Sequence, residues 1–89
     1  MLISVYQNHF KKDLKLAKKR GKDISQLKKI ITKIVNEEPL LPKNKEHKLM
    51  GKYKWLWECH ITPDWLLVYK VTSTEAIFVR TGSHSDLFN

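Results

Sequence analysis

Cysteine is nearly absent from this chain of 89 residues: Cys59 stands alone, so no intramolecular disulfide framework holds the fold. A lone thiol reads as a small core residue and points to a reducing cytosol. Glycine and proline are scarce, three of each, and no repeat, low-complexity tract or linker interrupts the chain. No apolar run approaches the length that crosses a membrane, and Met1-Leu-Ile-Ser-Val lacks the basic-then-apolar pattern of a signal peptide. The expectation is a soluble, cytoplasmic protein with one domain, 1–89, and a single core.

Acidic residues are also few, nine against seventeen Lys and Arg, for a net charge of +8. Their placement is uneven. Residues 1–54 carry fifteen Lys/Arg and five Asp/Glu, whereas residues 55–89 carry two and four. A basic half joined to a near-neutral half attracts a polyanion, either nucleic acid or an acidic protein partner.

What is present organises as β-α-α-β-β-β. Ile3 and Val5 alternate with Ser4 in a short first strand. Phe10, Leu14 and Ala17 then fall at helical spacing, with lysines on the other faces and Gly21 as the stop. Asp23 and Gln26 form a capping-box pattern for a second helix, whose apolar face is Ile24, Leu27, Ile30, Ile31, Ile34 and Val35. Glu37-Glu38-Pro39 ends it. Gly21-Lys22 is the only connector, so the helices form an antiparallel hairpin. Leu40 to Gly51 reads as a loop holding His47. Strands follow at 52–61, 65–71 and 76–81, and Ser83 caps one helical turn in the tail. In the first of these strands Trp55, Trp57 and Cys59 share one face, and Leu56, Glu58 and His60 the other. The fold class is α+β: a helical hairpin on a mostly antiparallel sheet of four strands.

Reactive side chains collect at the strand ends. His60 and Asp64 flank Thr62-Pro63, and Arg80 and His84 flank Thr81-Gly82-Ser83. Such a set suits RNA cleavage, because RNA carries its own nucleophile in the 2′-hydroxyl. A protein then supplies a base, an acid for the 5′-oxygen leaving group, and a cation for the phosphorane. Histidine fills either proton role near neutral pH, and arginine matches phosphate oxygens. No cofactor or metal is called for: His47, His60, His84 and Cys59 lack zinc-ligand spacing. Blander roles exist for each residue, as turn former, solvated strand end or surface group. Trp55, Trp65 and Tyr69 are either core or faces on which bases stack.

Three stretches carry a resemblance: His47-Lys-Leu-Met-Gly-Lys, Glu58-Cys-His-Ile-Thr-Pro-Asp-Trp-Leu-Leu-Val-Tyr-Lys, and Arg80-Thr-Gly-Ser-His-Ser-Asp-Leu-Phe88. Together the motifs H-x-L-x-G, C-H-I-x-P-D-W-L-L-V-Y and R-x-G-S-H-S-D-L-F resemble the YafQ branch of the RelE/ParE toxin superfamily over essentially the whole chain. The resemblance implies a RelE-like fold and an mRNA interferase, the toxin of a type II toxin–antitoxin pair acting on ribosome-bound mRNA. It implies catalytic or RNA-contacting roles for His47, His60, Asp64, Arg80, His84 and Phe88, with Trp65 beside them.

On that basis His84 is the expected general acid, His60 with Asp64 the base or its orienter, and Arg80 the phosphorane's cation. Lys48, Lys52, Lys54, Trp65 and Phe88 are expected to meet RNA. Trp57 departs from the many relatives that carry Arg there, so phosphate contact falls to Arg80 and the nearby lysines. The implied partner is an antitoxin with an acidic segment, of ribbon-helix-helix type. The toxin would be a monomer when free and part of a hetero-oligomer with its antitoxin. A non-catalytic nucleic-acid- or antitoxin-binding module and a ParE-like gyrase inhibitor are the alternatives.

Overall fold

The computed structural model of the chain describes residues 1–51 and 55–88. Its elements are β1 (Ile3–Tyr6), α1 (Asn8–Lys19), α2 (Ile24–Val35), a 3-10 turn (Pro42–Asn44), β2 (His47–Lys48), β3 (Trp57–Thr62), β4 (Trp65–Val71), β5 (Glu75–Gly82) and α3 (His84–Phe88). The expected helical hairpin is present. Gly21 takes φ +78°, and the amides of Gly21 and Lys22 close onto the carbonyls of Lys18 and Ala17 at 3.1 and 3.0 Å. That paired closure is the left-handed C-terminal cap that a glycine at this position favours. α2 begins on Asp23, whose carboxylate accepts from the Ser25 amide at 3.0 Å. The Asp23 carboxylate thus holds Ser25, through its amide and its hydroxyl, and the Gln26 amide bonds the Asp23 carbonyl at 3.1 Å. Glu37, with φ 59°, plays the glycine's part after α2, ahead of Pro39.

The sheet has five strands in the order β1-β5-β4-β3-β2. β1 runs parallel to β5, and the other pairings are antiparallel. The sequence pointed to four. The additional strand is β2, inside the segment read as a loop; two residues are too few to show periodicity, and only docking beside β3 makes them a strand. β3 itself starts at Trp57. The proposed beginning of that strand at 52–54 lies outside the described residues, and Trp55 is 74% exposed.

The helices cover one face. Phe10, Ala17, Leu27, Ile30 and Ile34 pack with Cys59, Trp65, Leu67, Tyr69, Ala76 and Phe78 in one apolar cluster. Alternation sends Glu58 and His60 of β3 to the other face. A bulge between β4 and β5 then changes which residues of β5 face which way. Tyr69 stands opposite Phe78, but Val68 stands opposite Arg80, so one residue, Val79, is inserted. Without the inserted residue Arg80 would share the helix-covered face with Phe78. With it, Arg80 shares the face of Val68 and Glu58.

The 3-10 turn is stitched to the sheet by Asn44, which is 2% exposed. Its Nδ2 donates to the His60 carbonyl at 2.8 Å, and its Oδ1 accepts from the Leu41 amide at 3.1 Å. Asn44→Ala removes both bonds and leaves the His60 carbonyl and Leu41 amide without this partner. Urea unfolding should show a loss of about 1–3 kcal/mol; an unchanged midpoint would mean that Asn44 does not hold this loop.

Candidate active site

The open face is built from β3 outward. β2 pairs with β3 so that His47 stands opposite Glu58, and His60 is two residues further along the same face. Glu58 is 4% exposed. One of its oxygens, Oε1, lies 3.4 Å from His47 Nε2 and 3.8 Å from His60 Nε2. The other nitrogen of each ring is held by a backbone carbonyl: His47 Nδ1 by Lys45 at 2.7 Å, and His60 Nδ1 by Pro63 at 3.2 Å. A carbonyl only accepts, so Nδ1 carries the hydrogen in both rings. Nε2 is the nitrogen that exchanges a proton, and each can donate to Glu58 once its ring is doubly protonated.

His84 enters from the first turn of α3. Asp64 Oδ1 accepts from both the backbone amide of His84, at 3.2 Å, and its Nδ1, at 3.1 Å. The same logic assigns the hydrogen to Nδ1 and leaves Nε2 for chemistry. These His84 bonds hold the Asp64 carboxyl below the usual carboxylate range, the side-chain bond contributing most. The His60 and His84 rings lie 5.9 Å apart, nearly edge to face, and Phe88 lies 6.3 Å from His84. Asp64 therefore orients His84, not His60 as the sequence suggested; the turn after β3 reaches across to α3.

Arg80 is engaged from behind. Asp13 of α1 accepts from its Nε at 2.7 Å and its Nη2 at 3.2 Å, and from the Thr81 amide at 3.1 Å. The guanidinium is thus fixed in a two-point fork, with Nη1 left to meet an anion.

Two expectations do not hold. Trp65 is 1% exposed; its Nε1 donates to Thr81 Oγ1 at 3.0 Å, and that hydroxyl donates to the Leu66 carbonyl at 2.7 Å. A ring so enclosed in the helix-covered core cannot stack on a base. Lys48 stands opposite Trp57 in the β2–β3 ladder, on the reverse side from His47, with its Nζ 5.4 Å from that indole ring. Cys59 faces the core away from the histidines, as a lone small apolar thiol was expected to, and burial above all pushes its thiol up to about 12. Lys52 and Lys54 lie outside the described residues.

Glu58 and Asp13 were missed as site residues. Each had a signal: Glu58 alternates with His60, and Asp13 is the only acidic residue in α1.

The fold and site define a class: a small basic α+β domain with a helical hairpin on one sheet face and imidazole–carboxylate chemistry on the other. Residues 3–89 match the family described as the bacterial toxin of type II toxin–antitoxin systems, YafQ. The chain is 43% identical over 84 residues to the mRNA interferase toxin YafQ of Escherichia coli strain K12, covering 93% of this chain and 91% of that protein. Its fold matches a chain of the E. coli DinJ–YafQ toxin–antitoxin complex with a TM-score of 0.92 and 40% identity, over 99% and 98% of the two chains. It matches a metal-bound toxin from Helicobacter pylori with a TM-score of 0.93 and 43% identity, over 99% and 100%. The chain belongs to the YafQ family of type II toxin–antitoxin toxins.

Two predictions follow from the geometry. Trp65→Phe leaves Thr81 short of a donor in the core, so urea unfolding should register a loss of about 1–3 kcal/mol while RNA affinity stays unchanged; weaker RNA binding at unchanged stability would return Trp65 to the site. The second concerns acid. Arg20 first, with the Ser83 amide, draws the Asp86 carboxyl down to about 2. A folded-state value below the unfolded one, about 4, stabilises at higher pH and is lost as pH falls from about 4 toward 2. Asp86→Asn should flatten the acid limb of the stability curve over that window, and an unaltered limb would contradict the pairing.

Proposed function

We propose that this toxin arrests growth by cleaving mRNA at the open sheet face, through attack of the RNA's own 2′-hydroxyl and without a metal. The observation that carries the reading is the pair of imidazoles, His60 and His84, 5.9 Å apart and each anchored through Nδ1. A phosphate bridging the two rings meets a base on one side and an acid on the other. His60 Nε2 takes the 2′-hydroxyl proton, with Glu58 beside it to stabilise the imidazolium that results. The 2′-oxygen bonds to phosphorus, the bond to the 5′-oxygen breaks, and His84 Nε2 delivers the proton that the leaving oxygen needs. The products are a 2′,3′-cyclic phosphate and a 5′-hydroxyl. Nη1 of Arg80 meets the phosphorane's extra charge, His47 lines the RNA path, and Phe88 flanks His84 where a base stacks. Lys48, Lys52 and Lys54 add to the basic field that draws RNA in.

The substrate is mRNA engaged with the ribosome, and the site of action is the cytoplasm; among the described residues no helix is long and apolar enough to cross a membrane. The toxin is a monomer when free. Its regulator is an antitoxin of ribbon-helix-helix type that presents an acidic segment to the basic half, in keeping with the DinJ–YafQ complex of the E. coli relative. The H. pylori relative is metal-bound, so the test includes a chelator.

Purified protein should cut RNA in EDTA, with mapped 2′,3′-cyclic ends, when tested with and without ribosomes. His84→Ala should lower cleavage by about 10²–10⁴-fold and abolish growth arrest, while the variant still folds and binds its antitoxin. Full cleavage by that variant would remove His84 from the mechanism. Absence of cutting by the wild type in either condition would favour a pure binding module, and inhibition by EDTA would replace the metal-free step.

A further inference from the structure

Helix α3, which carries His84 and Phe88, is five residues long, and none of its residues is buried. So short a helix, with Asp86 and Leu87 only half-buried against β5, has little packing of its own to hold it in place. It is fastened instead from two directions. One is Asp64, already described. The other lies outside the site: Arg20, the residue that closes α1, donates from Nη1 to Asp86 Oδ2 at 2.7 Å and from Nη2 to Oδ1 at 3.4 Å.

The local geometry converts that ion pair into a clamp on the turn. Asp86 Oδ2 also accepts from the Ser83 amide at 3.0 Å, while Ser83 Oγ accepts from the Asp86 amide at 3.1 Å. Ser83, immediately before His84, and Arg20 thus share the carboxylate of Asp86. Gly82 permits the close approach: a Cβ there would lie 3.0 Å from Asp86 Cβ and 3.1 Å from its Oδ2. Beside this clamp is a cavity of about 230 Å³ lined by Arg20, Lys22, Asp64, Thr81, Gly82 and Asp86, among others. That space gives α3 room to shift when the clamp is broken.

We propose that Arg20 is a positioning residue for the RNA cleavage described above: through Asp86 it fixes the first turn of α3 and so the direction of the His84 imidazole. The inference rests on that reading of the reaction. An ion pair whose Arg20 side chain is 47% exposed is partly screened by solvent, and its consequence for cleavage is local and kinetic. It also joins the end of the basic helix to the proton donor, so anything that engages Arg20 from outside loosens the acid.

The competing role for Arg20 is one more cation attracting RNA, and Lys19→Gln, which removes the same charge from the same turn, separates the two. Cleavage kinetics and the NMR signals of the His84 ring are compared for wild type, Arg20→Gln, Arg20→Lys and Lys19→Gln in the full chain. Positioning predicts that Arg20→Gln lowers kcat about tenfold, since small misplacements of a reacting group have effects of this order, and shifts the His84 ring signals. Lys19→Gln should raise KM alone, and Arg20→Lys should recover most of kcat. If Arg20→Gln matches Lys19→Gln and the His84 signals stay in place, the inference is overturned. Should the wild type cut no RNA, the proposed reaction fails, and the ring signals still decide: a shift in Arg20→Gln supports the clamp, and none refutes it.

Discussion

A carboxylate buried against two imidazoles is the interaction on which the rest of the site depends. Glu58 is 4% exposed, and an ionised carboxylate taken out of water without a partner costs several kcal/mol. The partners come from two places in the chain, His60 from its own strand and His47 from β2. β2 can pair with β3 only if the preceding loop is turned back onto the sheet. That is the work of Asn44, bonded to the His60 carbonyl, and of Lys45, whose left-handed φ of 46° brings its carbonyl onto His47. A two-residue strand with no propensity of its own thus exists because a buried charge and a buried amide hold it there.

The division of labour between the sheet faces is equally physical. Strict alternation would give every second residue of β3, β4 and β5 to the core and the others to the open side. Alternation holds in β3, where Cys59 goes in and Glu58 and His60 go out. In β5 it would send Arg80 inward with Phe78, and the bulge beside Val79 corrects it. The inserted residue also leaves Thr81 facing the core, where it pairs with Trp65. One irregularity therefore both aims the cation and seats the largest fully buried side chain of the core.

The three imidazoles are held by oxygen atoms rather than by one another. Lys45, Pro63 and Asp64 each take the Nδ1 hydrogen of a different histidine, which settles the tautomer and presents Nε2. Asp13 does the same for Arg80 by holding two of its nitrogens. Groups fixed in this way need little reorganisation when charge develops on a phosphate, the condition under which such sites are most effective.

The helical hairpin, its stops, the three long strands, the capped tail turn and the family were legible in the residues alone, because these rest on patterns local to the chain. Helical stripes, alternation and turn residues act within a few positions, and the motifs around His47, His60 and His84 are contiguous. Which groups meet depends on how the folded elements pack. The Arg20–Asp86 pair spans 66 positions and Arg80–Asp13 spans 67, distances at which no periodicity operates. The same holds for Asp64 turning to His84 rather than His60, for Lys48 landing behind the sheet, and for the enclosure of Trp65. For Lys48 and Trp65 register chose the face, and a one-residue difference in register moves a side chain from one side of the sheet to the other.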